Sequence, residues 1–406
     1  MPLAGDSIMN ATTQTKPTIL VGLLTLVALG LLVAIYYLPT WWVSLTAPNY
    51  PEESFPDGVR IEFHMNGVFN GCKRVEKAEI TESVALDCVH EMDTINHYVG
   101  MYPIAAGGPV ERAFSQFLVA FLGIMLLGFM CTMPKIRLGI MGVGFAAIAI
   151  WMYLTLYAED GLQFQNEGYV EALVTSLDQE ATGEEGEEEG AGGGIVELLR
   201  KSLEESGVKI EKPEELEALE KKAAAELSGK AGLIEQLREN YERDREKGFV
   251  TDPWNGSLYQ VMAWHYAKTL GRYFPDATKI DPMVENLKLA INVVFAGLLG
   301  AMLLLMFGAR KNGGILYWLL VLVPIALPIF FVIDYSAWLW WYGHNLSELG
   351  AFTVKPFMPT VFGDGKVAQF TTHSYPDIGF GVMLLFSAIL GVAALIRKKQ
   401  FSGQAG

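Results

Sequence analysis

Residues 18–38 read TILVGLLTLVALGLLVAIYYL, an apolar run without a single charged side chain. About 20 such residues make a helix long enough to cross the hydrocarbon core of a bilayer. The run lies close to the N-terminus behind Lys16, so a secretory leader is the competing reading. It is longer than the apolar part of a leader, and Tyr36, Tyr37, Trp41 and Trp42 follow it where a leader would place small residues. Those rings suit a membrane–water boundary, and the segment reads as a retained anchor.

Five further runs share this character: 114–133, 138–157, 287–307, 314–333 and 378–396. None contains Asp, Glu or Arg, and Lys288 near the start of the fourth span is placed to snorkel. The expected fold is therefore a mainly α membrane protein with six transmembrane helices. Composition agrees, because 51% of the 406 residues are hydrophobic, only 18% are charged and mean hydropathy is +0.28. The net charge of -15 argues against nucleic acid as a partner. Three cysteines without a C-x-x-C pair leave no disulfide-dense scaffold, zinc ribbon or haem-attachment motif.

Loop charge orients the spans, since cytoplasmic connections collect Lys and Arg. Lys135 and Arg137 join spans two and three, Arg310 and Lys311 join spans four and five, and Arg397, Lys398 and Lys399 follow span six. With Lys16 these stand against a single acid, Asp6. Both the N-terminus (1–17) and the tail (397–406) are thus expected in the cytoplasm of an inner-membrane protein. Segments 39–113, 158–286 and 334–377 face outward, and most of the acidic residues go with them.

In the first outer segment, Val59-Arg-Ile-Glu-Phe63 alternates as a half-buried strand does, and Asn66-Gly67 and Asn70-Gly71 are turn signals. A small β element is expected there. Cys72 and Cys88 face an oxidising compartment in this orientation, where they are either bonded or free; Cys131 belongs to span two as a small apolar residue. The second outer segment carries an insert over 176–248. Its Gly/Glu-rich stretch 183–194 cannot bury enough surface to order itself, and 195–247 has helical spacing that fits two solvated surface helices. Trp254–Tyr273 reads as an aromatic amphipathic helix that lies on the membrane surface or packs on the end of the bundle. The third outer segment opens with Trp338, Trp340, Trp341 and Tyr342, an interfacial belt in its plainest reading.

All six histidines fall outside the expected spans, so paired haem ligands within the membrane are missing. Asp334 stands at the edge of span five, and no ionisable residue within the spans marks a transport path. No Ser-His-Asp set or phosphate loop is evident. His97, Met101 and His344 offer imidazole and thioether donors of the kind that suits Cu(I), against the commoner reading of such histidines as hydrogen-bonding structural residues.

Several elements resemble the NosB-type family of multi-pass membrane proteins encoded beside the Sec-exported, clade II nitrous oxide reductase. They are Ala47-Pro-Asn-Tyr50-Pro51, Asn96-His-Tyr-Val-Gly-Met101, Tyr342-Gly-His-Asn-Leu346, Lys355-Pro-Phe-Met-Pro359, Ala368-Gln-Phe370 and Ser374-Tyr-Pro376. Val99 stands where the family's motif has Ile. The resemblance spans the outer loops before spans two and six and the six-span layout. It leaves out residues 176–248 and the Cys72/Cys88 pair, which inherit no role. It implies a membrane-bound partner of a periplasmic multicopper enzyme that reduces nitrous oxide to dinitrogen. On that footing Asn96, His97, Tyr98, Met101, Tyr342, His344 and Asn345 are the expected partner-binding residues. The leading expectation is a non-catalytic anchor or assembly subunit without a redox cofactor of its own. Alternatives are a copper-handling factor that binds Cu(I) transiently through His97, Met101 and His344, and a quinol-interacting electron-transfer subunit whose interfacial aromatics leave room for a quinone.

Overall fold

Uncharged runs bounded by proline and glycine become long helices, and the computed structural model describes them within residues 5–72, 87–178, 229–367 and 369–402. In chain order the elements are α1 (Gly5–Tyr37), β1 (Trp41–Thr46), β2 (Val59–His64), β3 (Gly67–Asn70), α2 (Cys88–Tyr98), α3 (Pro109–Met130), α4 (Pro134–Tyr157), α5 (Glu167–Asp178), α6 (Lys230–Glu246), α7 (Leu258–Gly271), α8 (Ala277–Gly308), α9 (Ile315–Ile325), α10 (Leu327–His344), β4 (Gly363–Val367), β5 (Phe370–Pro376) and α11 (Ile378–Ser402). Five helices, α1, α3, α4, α8 and α11, are long and apolar enough to cross a membrane. Pro109 and Pro134 start α3 and α4 at the first turn, where a missing N–H costs nothing.

The fifth expected span differs from the continuous helix its hydropathy implies. It is a pair, α9 and α10, bent by 61° at Ala326, either a broken span or a re-entrant loop. Pro324 and Pro328 explain the break: Pro328 has no N–H for the carbonyl one turn back, and its ring disfavours helical backbone at Leu327. Ser387 of α11 donates to the Ile325 carbonyl at 2.9 Å, re-satisfying a group that the break frees. After the bend α10 runs on to His344, so Asp334 lies inside a helix rather than at a span's edge, and the Trp338–Tyr342 belt is helical.

The short-loop ends of the helices are tied together by two fully buried arginines, Arg137 and Arg397. The Arg137 guanidinium donates to the carbonyls of Gly128, Cys131 and Ala309 and to Asn312 Oδ1, while Arg397 donates to the Met130 carbonyl. These carbonyls sit at or near helix C-termini, which lack intrahelical donors and favour cations. The two side chains expected to mark orientation from loops are thus structural clasps. Cys131 is the half-buried C-cap of α3, with a free thiol.

At the opposite end the strands form one antiparallel sheet in the order β3-β2-β1-β5-β4. β1 follows α1 and β5 precedes α11, and the two strands pair Trp41 with Pro376 through Thr46 with Thr371. Gly379 N–H to Pro39 O (2.8 Å) and Asp377 N–H to Thr40 O (3.0 Å) carry that pairing into the helices. Trp41 anchors the sheet: its indole donates to Ser374 Oγ at 2.9 Å and packs against Phe331, Tyr335 and Phe380. A disulfide joins Cys72 beyond β3 to Cys88 at the start of α2, with Cα atoms 6.0 Å apart. The Asp87 carboxylate caps α2 by accepting from the N–H groups of Val89 and His90.

The 183–194 linker and the first expected insert helix lie outside the described residues. The second is α6, and it is docked rather than solvated, burying Leu233, Leu237 and Tyr241 at a spacing of four. Its Asp244, also buried, accepts from Trp264 Nε1 at 2.8 Å and from Lys268 at 3.0 Å. Of the two placements expected for the aromatic helix, α7 takes the interior one, with Leu258, Val261, Met262, Trp264 and Leu270 all buried.

Candidate functional site

The sequence motif 96–101 closes α2 and turns the chain into the outer loop before α3. Asn96 uses its carbonyl to accept from Val99 and Met101 N–H, so its backbone terminates the helix. Gly100 then takes φ +84, and a Cβ there would stand 2.5 Å from Ser347 O, so both conformation and space require glycine. That close approach is a docking of the two outer loops. Ser347 N–H donates to Gly100 O at 2.7 Å, and Phe352 N–H donates to Tyr98 O at 2.9 Å.

The second motif behaves alike. Phe357 N–H donates to Gly343 O at 3.1 Å, and a Cβ on Gly343 would overlap the Phe357 carbonyl. The run 342–346 is thereby fastened to 355–359. Tyr342 is buried, and its hydroxyl reaches the carbonyls of Pro103 and Ile104 at 3.0 and 2.9 Å. Met101 is buried too, and Asn345 folds back to donate to Trp341 O at 2.9 Å. These three position the loops from behind.

The outward groups are fewer. Tyr98 is exposed, and His97 is half-buried with its ring stacked on Tyr273 at 4.7 Å and its Nδ1 2.9 Å from Thr94 O. His344 is exposed at the end of α10, stacked on Trp340 at 4.4 Å, with Nδ1 2.8 Å from Trp340 O. Each imidazole therefore presents Nε2 outward at most. The 345–362 loop exposes Leu349, Phe352, Met358 and Phe362, each more than 45% accessible, and of these Phe352 lies beside Tyr98 with ring centres 6.4 Å apart. Among the described residues no group of three or more His, Cys, Asp or Glu side chains is placed to hold a metal ion.

Three acidic side chains without a role in the sequence reading sit behind this surface. Asp93, at 1% exposure, accepts from Ile104 N–H at 2.7 Å through Oδ1, while Oδ2 has no hydrogen-bond partner among the described residues. Burial pushes its pKa up to about 7, against the opposing pull of the Ile104 hydrogen bond and the Arg272 charge. Glu111, on the first turn of α3, accepts from Trp338 Nε1 at 3.4 Å, and its buried Oε2 has no partner among the described residues. Asp334 lies within electrostatic reach of Glu111. A polar Glu-Arg pair directly before an apolar run was the available signal for Glu111; Asp93 had none, because only tertiary packing buries it.

His265 is a further buried ionisable group. It lies 2.7 Å from Ser176 Oγ and 3.2 Å from the Leu173 carbonyl, and burial followed by the Arg112 charge lowers its pKa to about 3. It is a neutral structural histidine that joins α5 to α7. The chain matches no protein-family model, no curated protein and no solved structure.

Proposed function

We propose that this chain is a non-catalytic membrane subunit or assembly partner whose outer loops dock a periplasmic copper-containing nitrous oxide reductase. One observation carries the reading: the two loops that hold the family-like motifs are locked together at Gly100 and Ser347, with Tyr98, Leu349 and Phe352 exposed beside that contact. Apolar side chains clustered on an otherwise polar outer segment are what a protein-binding surface presents. Glycines that permit backbone contact at Gly100 and Gly343 give that surface a fixed shape, which lowers the ordering cost of docking.

The orientation assigned is N-in and C-in, in the inner membrane, with the sheet, α2, α5, α6 and α7 in the periplasm. The Cys72–Cys88 bond supports it, since disulfides persist in oxidising compartments. So does the gathering of Lys135, Arg310, Lys311, Lys398 and Lys399 at the opposite, short-loop end.

The test is mild-detergent purification from membranes of cells respiring nitrous oxide anaerobically, with mass spectrometry and copper analysis of the chains that co-elute. The reductase is expected in fixed ratio with this chain. His97→Ala with His344→Ala, or Tyr98→Ala with Phe352→Ser, is expected to reduce its recovery at least about tenfold while the bundle elutes unchanged. Undiminished recovery from both double variants would remove this surface from the interface. Copper bound to this chain alone, without the reductase, would replace docking with copper delivery.

A further inference from the structure

The short-loop end of the bundle gathers cations without supplying carboxylates for them. Segments 128–142, 305–318 and 390–402 hold Lys135, Arg137, Arg310, Lys311, Arg397, Lys398 and Lys399 and contain no Asp or Glu. The two buried arginines bring these segments to one junction. Arg137 donates to Asn312 Oδ1 at 2.7 Å and to the Ala309 carbonyl at 3.1 Å, Arg397 donates to the Met130 carbonyl at 2.9 Å, and Asn312 Nδ2 donates to the Thr132 carbonyl at 3.3 Å. Phe401 of α11 packs on Tyr317 and Trp318 of α9, with ring centres 5.5 and 6.3 Å apart, and joins the two helices there. Around this junction Lys135, Arg310, Lys311, Lys398 and Lys399 are all exposed.

Like charges gathered at one junction repel one another, and anions from outside the chain relieve that repulsion. The side chains beside the cations decide which anion fits. Met133 and Ile136 flank Lys135, Phe307 and Ile315 flank the 310–311 pair, and Leu395 lies one turn before Lys399, each of them more than half exposed. Cations and exposed apolar groups therefore share the same helix ends, where the apolar stretches of α4, α8 and α11 meet water. A nucleic acid or an acidic soluble protein would match the charge and leave the apolar groups in water. A phospholipid of net negative charge answers both, with its phosphate against the ammonium and guanidinium groups and its acyl chains along the helices. We infer that this end of the bundle binds anionic phospholipid, its headgroup phosphates paired with Lys135, Arg310, Lys311, Lys398 and Lys399 and its chains lying against Phe307 and Leu395. A zwitterionic lipid brings the same chains without the net charge and is held less well. The assignment does not depend on the docking of a reductase.

The test incubates the full chain, purified in mild detergent, with equal amounts of phosphatidylglycerol and phosphatidylcholine of the same acyl chains and counts the lipids it retains by native mass spectrometry. Phosphatidylglycerol is expected to be preferred by about tenfold or more. Lys135→Gln, Arg310→Gln, Lys311→Gln, Lys398→Gln and Lys399→Gln combined are expected to bring the two lipids to parity. Arg310→Gln with Lys311→Gln alone, in one exposed turn, is expected to lower the preference roughly threefold or more and keeps the test sound should the combined variant misassemble. Lys355→Gln with Lys366→Gln removes the same charge from exposed positions at the sheet end and is expected to retain lipid as the parent does. Parity in the parent, undiminished preference in the Arg310/Lys311 variant, or an equal loss in the Lys355/Lys366 variant would overturn the proposal. Displacement of phosphatidylglycerol by glycerol 3-phosphate at equal concentration would overturn it in favour of a site for a soluble phosphate.

Discussion

Asp93 and His265 are two buried ionisable residues of the outer segments, and they load the same pH range in opposite senses. The Asp93 carboxyl titrates near 3.8 when unfolded and near 7 when folded. A raised folded pKa means that its share of stability is complete below pH 4, declines as pH rises from about 4 to 7, and is gone above. The loss is on the order of 4 kcal/mol at one pKa unit per 1.36 kcal/mol. His265 runs the other way, with a folded pKa near 3 against 6.5 unfolded, so its contribution is intact above pH 6.5 and is lost as the pH falls towards 3. Over pH 3 to 7, Asp93→Asn is therefore expected to remove the contribution that falls between pH 4 and 7, and His265→Gln the contribution that falls from pH 6.5 towards 3. Thermal unfolding in detergent across that range reads both. An unchanged profile in Asp93→Asn would mean that the carboxyl is hydrated in solution.

At the level of elements, the α9–α10 break separates this bundle from one of six plain spans. It costs helical hydrogen bonds in a region where lipid offers no replacements, and Ser387 is the side chain that makes good the Ile325 carbonyl. Ser387→Ala is expected to lower stability by about 1 kcal/mol, in the usual range for interhelical hydrogen bonds in membranes. A fall in Tm with retained monodispersity checks it, and an unchanged Tm would mean that water or a neighbouring backbone group serves that carbonyl instead. The bend also delivers Trp338 and Trp341 against α3 and α8. A straight helix would aim this face of α10 elsewhere, and Trp338 would lose its hydrogen bond to Glu111.

Across the whole molecule, two ends with opposite chemistry face each other along the helices. One is stitched by Arg137 and Arg397 onto helix-end carbonyls, and the other carries the sheet, the docked helices α5 to α7 and the disulfide. Alkaline phosphatase joined after Ser402 is expected to be inactive in cells and the same enzyme inserted at Gly248 active. The reverse pattern would invert the orientation. Cys72→Ser with Cys88→Ser is expected to cost roughly 3 kcal/mol, the worth of closing a loop of this length, and to loosen α2 and with it the 98–100 contact. Proteolysis of the outer segments with and without reductant would register that loosening.

Hydropathy runs alone determined that the chain is a helical membrane protein, and they located five of its long helices, although α1 and α8 begin 13 and 10 residues before the runs that mark them. That follows because burying a backbone in lipid leaves helix as almost the only solution for one uninterrupted apolar stretch. Alternation in 59–63 likewise determined a strand, since its period places every second side chain inward. Which strands pair, that Arg137 and Arg397 turn inward, that α6 is docked, and that Asp93, Glu111 and Trp338 acquire their surroundings were decided by tertiary structure. Each of these depends on groups far apart in the chain: Trp41 meets Ser374, Gly100 meets Ser347, and Glu111 meets Trp338. Local periodicity reports which face of an element is apolar, whereas the partner of a polar group is chosen only when distant segments compete for the same buried space.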